Sequence, residues 1–253
     1  MTVTVRPEGT SRVVTIDRPH RRNSLAPETL VALREAAVAL RRDPTVRGVV
    51  LTGAPGVGVF LSGGDLEALA GVKTARAARN LARAAYAAID ALRSVGVPLV
   101  AAVHGDAYGG GCELAAACDH RVAESQVRFH WVQTRFAVTT GFGGTSHLLD
   151  LVPRGVAARW LLTTEPVSCA EAHAAGFVDA VTPPGESLAE ALRMLDAVAV
   201  QPREAVRRML TLVRESGRLT PRQARTLELN HFGRAWASHE HHEAVARFLQ
   251  RPR

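Results

Sequence analysis

One stretch, residues 98–119, constrains the fold more than any other: P-L-V-A-A-V-H-G-D-A-Y-G-G-G-C-E-L-A-A-A-C-D. It opens on an apolar run, Leu99 to Val103, bounded by Pro98 and Gly105. That length and those boundaries fit a buried strand, although periodicity alone does not separate it from a helix. Gly109, Gly110 and Gly111 follow, and residues 114–117 continue as good helix formers. The order is therefore strand, glycine turn, helix start. Glycines let the backbone take steep dihedrals and let another molecule come close to the main chain. The first N–H groups of the helix point into the turn without internal partners, which suits a negatively charged oxygen. Glu113 lies in the first helical turn. An oxyanion-binding backbone beside a carboxylate is a catalytic layout. A tightly packed glycine turn with an ordinary first-turn acid accounts for the same pattern.

A chain of 253 residues, 47% hydrophobic, can bury a sizeable core in one large domain or two small ones. No apolar run reaches the length of a membrane span, and residues 1–8 lack the apolar centre of a secretory signal. Cys112, Cys118 and Cys169 cannot all pair and have no metal-site spacing, as expected of small buried residues in a reducing compartment. The expected location is the cytoplasm. The net charge is +7 and the pI near 10.5. Lys73 is the only lysine; the other basic residues are arginines. Codon bias explains that preference, and attraction of an anionic ligand is the functional alternative. The arginines are scattered and aromatics are 5%, which disfavours nucleic acid.

Residues 13–16 read as a strand, followed by an arginine-rich turn over 17–24. Pro27 opens a helix in which Leu30, Leu33, Ala37 and Leu40 recur at helical spacing, and Asp43-Pro44 ends it. Residues 48–51 form a second strand, 52–64 a glycine-rich loop, and Asp65 and Leu66 begin another helix. An alanine-rich helix covers about 74–93. Short strands follow at 120–123 and 127–131, then a loop over 133–141 and a helix carrying Leu148, Leu149 and Leu151. From Gly155 the chain is mostly helical, with a short extended piece at 178–181. Ser168-Cys169-Ala170-Glu171 and Thr220-Pro221-Arg222-Gln223 fit capping boxes. Pro183-Pro184-Gly185 is the clearest break and divides 1–183 from 184–253. Strands alternating with helices, then helices alone, give an α/β core with a helical C-terminal part.

Several motifs fail. Lys73 has no phosphate-loop glycine before it, Gly56-Val57-Gly58 lacks the third glycine of a dinucleotide fingerprint, and Ser62 stands outside a GxSxG elbow. In His239-Glu240-His241-His242-Glu243 the last glutamate takes the place of the second histidine of HExxH, so a polar helix face is expected and no metal site. Asp106 could serve as an acid or base, but a carboxylate just before a helix start also has a structural reason.

Four stretches together resemble the crotonase (enoyl-CoA hydratase/isomerase) superfamily. Ile16-Asp17-Arg18-Pro19-His20-Arg21-Arg22-Asn23-Ser24-Leu25 is similar to the early R-P-x-x-x-N-(A/S)-L loop that wraps the CoA nucleotide. Val49-Val50-Leu51-Thr52-Gly53 with Phe60-Leu61-Ser62-Gly63-Gly64-Asp65-Leu66 resembles the loop that supplies the first oxyanion-hole N–H, here Gly64. Residues 101–119 resemble the segment of the second donor, here Gly110. Ala170-Glu171-Ala172 with Gly176-Phe177-Val178-Asp179 resembles the segment behind the active site.

The resemblance implies a spiral of ββα units with a helical C-terminal trimerisation part, hence a homotrimer or hexamer. It implies an acyl-CoA substrate, with coenzyme A part of the substrate rather than a separate cofactor. Arg21, Arg22, Asn23, Ser24, Leu25, Ser62 and Asp65 would then line the CoA side. The first of the hydratases' two glutamates maps to Glu113, and the second falls on Gln133. An amide can orient a water or a carbonyl but cannot exchange a proton near neutral pH. The family's isomerases depend on the acid at that place, so isomerisation is disfavoured more than hydration. Decarboxylation, thioester hydrolysis, C–C cleavage and CoA binding with little catalysis remain as alternatives. Arg135 is either a surface residue or a contact to an acidic acyl group.

Overall fold

A computed structural model of the chain describes residues 2–250. The chain forms two compact units that meet in sequence between Asp196 and Ala197.

In the first unit, β1 (Val3–Glu8) and β2 (Ser11–Ile16) pair as an antiparallel hairpin, and α1 (Pro27–Arg42) follows. Three ββα passages come next. They are β3 (Gly48–Gly53), β4 (Val59–Leu61) and α2 (Ala75–Arg93); β5 (Leu99–Val103), β6 (Asp106–Tyr108) and α3 (Gly110–Ala117); β7 (His120–Glu124), β8 (Arg128–His130) and α4 (Gly144–Leu151). In each passage the first strand joins one sheet and the second strand joins another. The unit closes with α5 (Arg154–Thr163), β9 (Val167–Ser168), α6 (Cys169–Ala174), β10 (Ala180–Thr182) and most of α7 (Ser187–Ala199). The larger sheet runs β1-β2-β3-β5-β7-β10 and the smaller β4-β6-β8-β9. This is the ββα spiral. It repeats in structure although the sequence shows no repeat in identity.

The sequence pattern explains the larger sheet. Every residue of β3 and β5 is buried, as expected of parallel strands covered on both faces. Val49, Leu51, Leu99 and Ala101 join the main core with Leu30, Leu33 and Ala37 of α1 and Ala85, Ala88, Ile89 and Leu92 of α2. The alternate residues Val50, Val100 and Ala102 face the other way, against Ala191 and Leu195 of α7. That burial holds α7 to the sheet. The boundary between compact units therefore falls inside α7 and not at Pro183-Pro184-Gly185.

Residues 3–8, for which the sequence pattern offered no reading, pair as β1. Four local expectations are corrected. β4 forms within the expected loop at 52–64. Residues 106–108 form β6, so the glycine turn follows a second strand rather than β5 directly. No helix begins at Asp65. Its carboxylate accepts the N–H of Ala68 and its carbonyl that of Leu69, closing one turn before Gly71. Ser168 caps α6 through the N–H of Glu171, but the Glu171 carboxylate reaches Arg159 and Trp160 instead of returning to the cap.

The second unit holds α8 (Arg203–Glu215), α9 (Pro221–Trp236) and α10 (His239–Leu249). Thr220 and Gln223 complete the reciprocal capping box. Met209, Val213, Leu229, Phe232, Trp236, Phe248 and Leu249 are exposed. Among the described residues, no helix is long and apolar enough to cross a membrane.

Candidate active site

The site is built by register. β4, β6 and β8 are parallel neighbours, with Val59 opposite Asp106, Leu61 opposite Ala107, and Tyr108 opposite His130. Their carboxyl ends therefore lie side by side, where parallel sheets of α/β proteins hold ligands. The chain leaves β4 into Gly63 and Gly64, leaves β6 into Gly109 and Gly110, and leaves β8 into Val132 and Gln133. Three segments far apart in sequence thus bring Gly64, Gly110, Glu113 and Gln133 to one cavity of about 760 Å³.

Gly64 bridges Leu25 in parallel, through Leu25 N–H to the Gly63 carbonyl and Asp65 N–H to the Leu25 carbonyl. Successive residues of an extended chain point their N–H groups to opposite sides, so the Gly64 N–H is turned away from Leu25. Gly110 is the first residue of α3, so its N–H has no partner within the helix. Gly63 sits at φ +86°, and a Cβ there would lie 2.8 Å from the Tyr108 carbonyl oxygen and 3.2 Å from the Gly110 nitrogen. Only glycine allows the two turns to approach so closely.

Glu113 is 3% exposed. Its Oε2 accepts the N–H groups of Phe142 at 2.7 Å and Gly144 at 2.8 Å. Its Oε1 accepts Nε2 of Gln133 at 2.9 Å and the Gly141 N–H at 3.4 Å. Burial raises the Glu113 carboxyl above its ordinary range, against the pull of those donors. Gln133 is held by its own carbonyl, which accepts the N–H groups of Phe136 and Val138. Its side chain is buried, and Oε1 has no hydrogen-bond partner. The pair is therefore one carboxylate fixed by donors, beside an amide with a free acceptor.

Of the residues expected on the CoA side, Arg22 and Ser62 line the cavity. Arg22 lies over the Tyr108 ring at 5.4 Å, and Arg21 pairs with Glu67 at the surface. Asn23, Ser24, Leu25 and Asp65 are buried. Their side chains hold the loop instead of facing the cavity. The Asn23 amide donates to the carbonyls of Ala54 and Val59. Asp65 pairs with Arg18 at 2.8 Å, while Ser24 Oγ donates to Asp65 at 3.2 Å and accepts from Arg18 at 2.9 Å. Although burial opposes it, the Ala68 N–H, Arg18 and Ser24 hold the Asp65 carboxyl below its ordinary value. This cluster ties the early loop to the chain just after Gly64.

Sequence reasoning missed Arg18 as the hub of that cluster, and missed the N–H groups of Gly141, Phe142 and Gly144 as the holders of Glu113. The signal for the second was the close run of glycines at 141, 143 and 144. A Cβ at Gly144 would lie 2.4 Å from Glu113 Cγ. Asp106 accepts the Arg128 N–H and the Tyr108 hydroxyl and faces His130, which gives it a structural role. His239 pairs with Glu243 along α10, and no metal-binding cluster occurs among the described residues.

The enoyl-CoA hydratase/isomerase family pattern matches residues 8–253. The chain is 32% identical to a crotonyl-CoA hydratase of Syntrophomonas wolfei over 94% of this chain and 91% of that protein. It is 36% identical to an (E)-benzylidenesuccinyl-CoA hydratase of Thauera aromatica, over 73% of this chain and 71% of the relative. The crystal structure of an enoyl-CoA hydratase from Polaromonas sp. JS666 superposes with a TM-score of 0.91 at 32% identity, covering 98% of this chain and 96% of the other. Fold, motif order and these likenesses agree: the chain belongs to the enoyl-CoA hydratase/isomerase family of the crotonase superfamily.

Proposed function

We propose that the protein is a lyase that adds water to a 2-enoyl-CoA thioester, with Glu113 as its only proton-transferring group at the reacting carbons. The observation that carries this reading is the Glu113–Gln133 pair, at 2.9 Å, in the same cavity as the N–H groups of Gly64 and Gly110. The thioester oxygen sits between those two N–H groups. A water donates one O–H to Glu113, displacing the long contact from Gly141, and a turn of the Gln133 side chain opens its buried, unpartnered Oε1 to accept the other. Its oxygen bonds to Cβ, the Cα=Cβ π pair moves toward the thioester oxygen, and Glu113 takes the proton. The two backbone donors and the amino end of α3 stabilise the enolate. Glu113 then returns its proton to Cα, a step Gln133 cannot perform.

Incubation with crotonyl-CoA tests the proposal: the product gains the mass of water, and Glu113→Gln removes that product. The amide at position 133 also favours a second reading, in which an oxyanion forms without a second acid, as the enolate of a decarboxylation or the tetrahedral intermediate of a thioester hydrolysis. A product that has lost carbon dioxide, or free CoA released from a saturated thioester, supports that reading against hydration.

A further inference from the structure

We propose that Arg135 binds a carboxylate carried by the acyl group, so that the site prefers CoA thioesters whose acyl chain bears a second, ionised carboxyl group. The inference rests on the acyl-CoA reading of the cavity but not on hydration. Arg135 lines the same cavity as Gly64, Gly110, Glu113 and Gln133. It rides on the short turn Thr134–Phe136, which the Gln133 carbonyl closes. Its guanidinium has no ion pair and no hydrogen bond among the described residues. The one acid lining the cavity, Glu113, already receives three backbone N–H groups and the Gln133 amide, so it does not call for a cation.

Arg135 is itself exposed, and part of the lining beside it is apolar. Phe136 and Val138 on its own segment, and Leu66 across the cavity lining, are all exposed. A cation without a protein partner beside an apolar part of the lining fits a ligand with an apolar stem and an anionic end. A guanidinium takes a carboxylate through two parallel N–H···O bonds, and covering the apolar rim strengthens the pair by excluding water. Arg22 and Ser62, on segments remote in sequence, are the separate candidates for the CoA moiety.

A CoA phosphate is the other anion that Arg135 could meet, and calorimetry separates the two. Succinyl-, glutaryl- and adipoyl-CoA are titrated into the wild type, Arg135→Ala and Arg135→Lys, alongside butyryl-, pentanoyl- and hexanoyl-CoA and free CoA. At one or more chain lengths the wild type binds the carboxylated thioester about tenfold or more tightly, roughly the energy of a charge-assisted hydrogen bond. Arg135→Ala brings that ratio close to one, and Arg135→Lys retains part of it. No preference at any length in the wild type, or a ratio unchanged in Arg135→Ala, overturns the proposal. So does an Arg135→Ala loss that is equal for all thioesters and for free CoA, which assigns the residue to the phosphates. Saturated thioesters cannot be hydrated, so these binding ratios stand apart from crotonyl-CoA turnover, on which the functional reading depends.

Discussion

The amide nitrogen of Gln133 stands 2.9 Å from Oε1 of Glu113, donating to it, while the amide oxygen on the same carbon finds no partner. The carboxylate can only accept, so it fixes which way the amide points. On the proposed reading, this confines proton transfer to one side of the pair and water orientation to the other.

Glu113→Gln removes the only titrating group of that pair and is expected to abolish product formation. Gln133→Glu restores a second acid and raises crotonyl-CoA hydration by about one to several decades, within the 10²–10⁴-fold range of a positioned acid or base. The effects do not add, because the two groups act on one proton. Initial rates of the single and double variants check this. Rapid wild-type turnover with no gain in Gln133→Glu would show that the amide is no handicap.

The pH profile follows from burial. As a base, Glu113 must be deprotonated, and desolvation lifts its carboxyl above the ordinary range. The kcat/KM of the wild type should therefore fall as pH drops through a value above that of a free glutamate, about 4.3. Gln133→Glu places two carboxyls together, which pushes one pKa higher and gives a coupled pair of ionisations. A wild-type limb at or below the ordinary glutamate value contradicts the assignment.

If Gly64 donates to the thioester oxygen as proposed, Gly64→Pro deletes that donor. The expected loss in kcat is about 10²–10³-fold, with circular dichroism unchanged. Gly144→Ala should lower kcat without touching a donor, because its Cβ would displace the Glu113 side chain from 2.4 Å. Full turnover by a folded Gly64→Pro protein removes Gly64 from the oxyanion hole.

Arg121 is 1% exposed and pairs with Asp179 at 2.7 Å. Asp179→Ala leaves that buried guanidinium without a carboxylate, held only by the carbonyls of Phe177, Cys118 and Asp119, and is expected to cost about 3–5 kcal/mol in denaturant unfolding. Burial opposes ionisation of Asp179, but His120 and Arg121 hold its carboxyl below the ordinary value. Its contribution is thus full above the unfolded aspartate pKa and is lost as pH falls toward the depressed folded one. The variant should lack that part of the acid destabilisation.

We further expect the protein to self-associate as a trimer or hexamer. Phe232, Trp236, Phe248 and Leu249 leave apolar side chains exposed on α9 and α10, which association would cover. Sedimentation at micromolar concentration checks this, and a monomer would contradict it.

The long elements were legible because their signals are local. Pro27 and the 30-33-37-40 spacing mark α1, and the Thr74 cap marks the start of α2. β4 and β6 were not, because each is three residues long and is held by its neighbour rather than by its own pattern. Gly64, Gly110 and Glu113 were readable as motifs. That the Glu113 carboxylate is gripped by residues 141–144 was not, since the grip uses backbone N–H groups, which every residue but proline offers. Asn23 and Ser24 were legible as a motif, yet their side chains serve the loop's shape, a distinction that composition does not encode.

The order of strands in the smaller sheet separates what must stay constant from what can vary. β8 is fixed to β6 through Phe129 and His130, before the chain reaches Gln133. Within the segment from Val132 to Gly141, the exposed positions 134–139 can therefore vary without breaking that pairing, while Gly141 must still offer its N–H to Glu113. On the proposed reading, anchorage of the carbonyl oxygen and the proton-transferring Glu113 both belong to the glycine turns and α3, while water orientation and acyl selectivity belong to the segment that carries Gln133 and Arg135. A lineage can change its chemistry by editing that one segment while keeping its grip on the thioester, and directed evolution of this protein should concentrate its useful changes there.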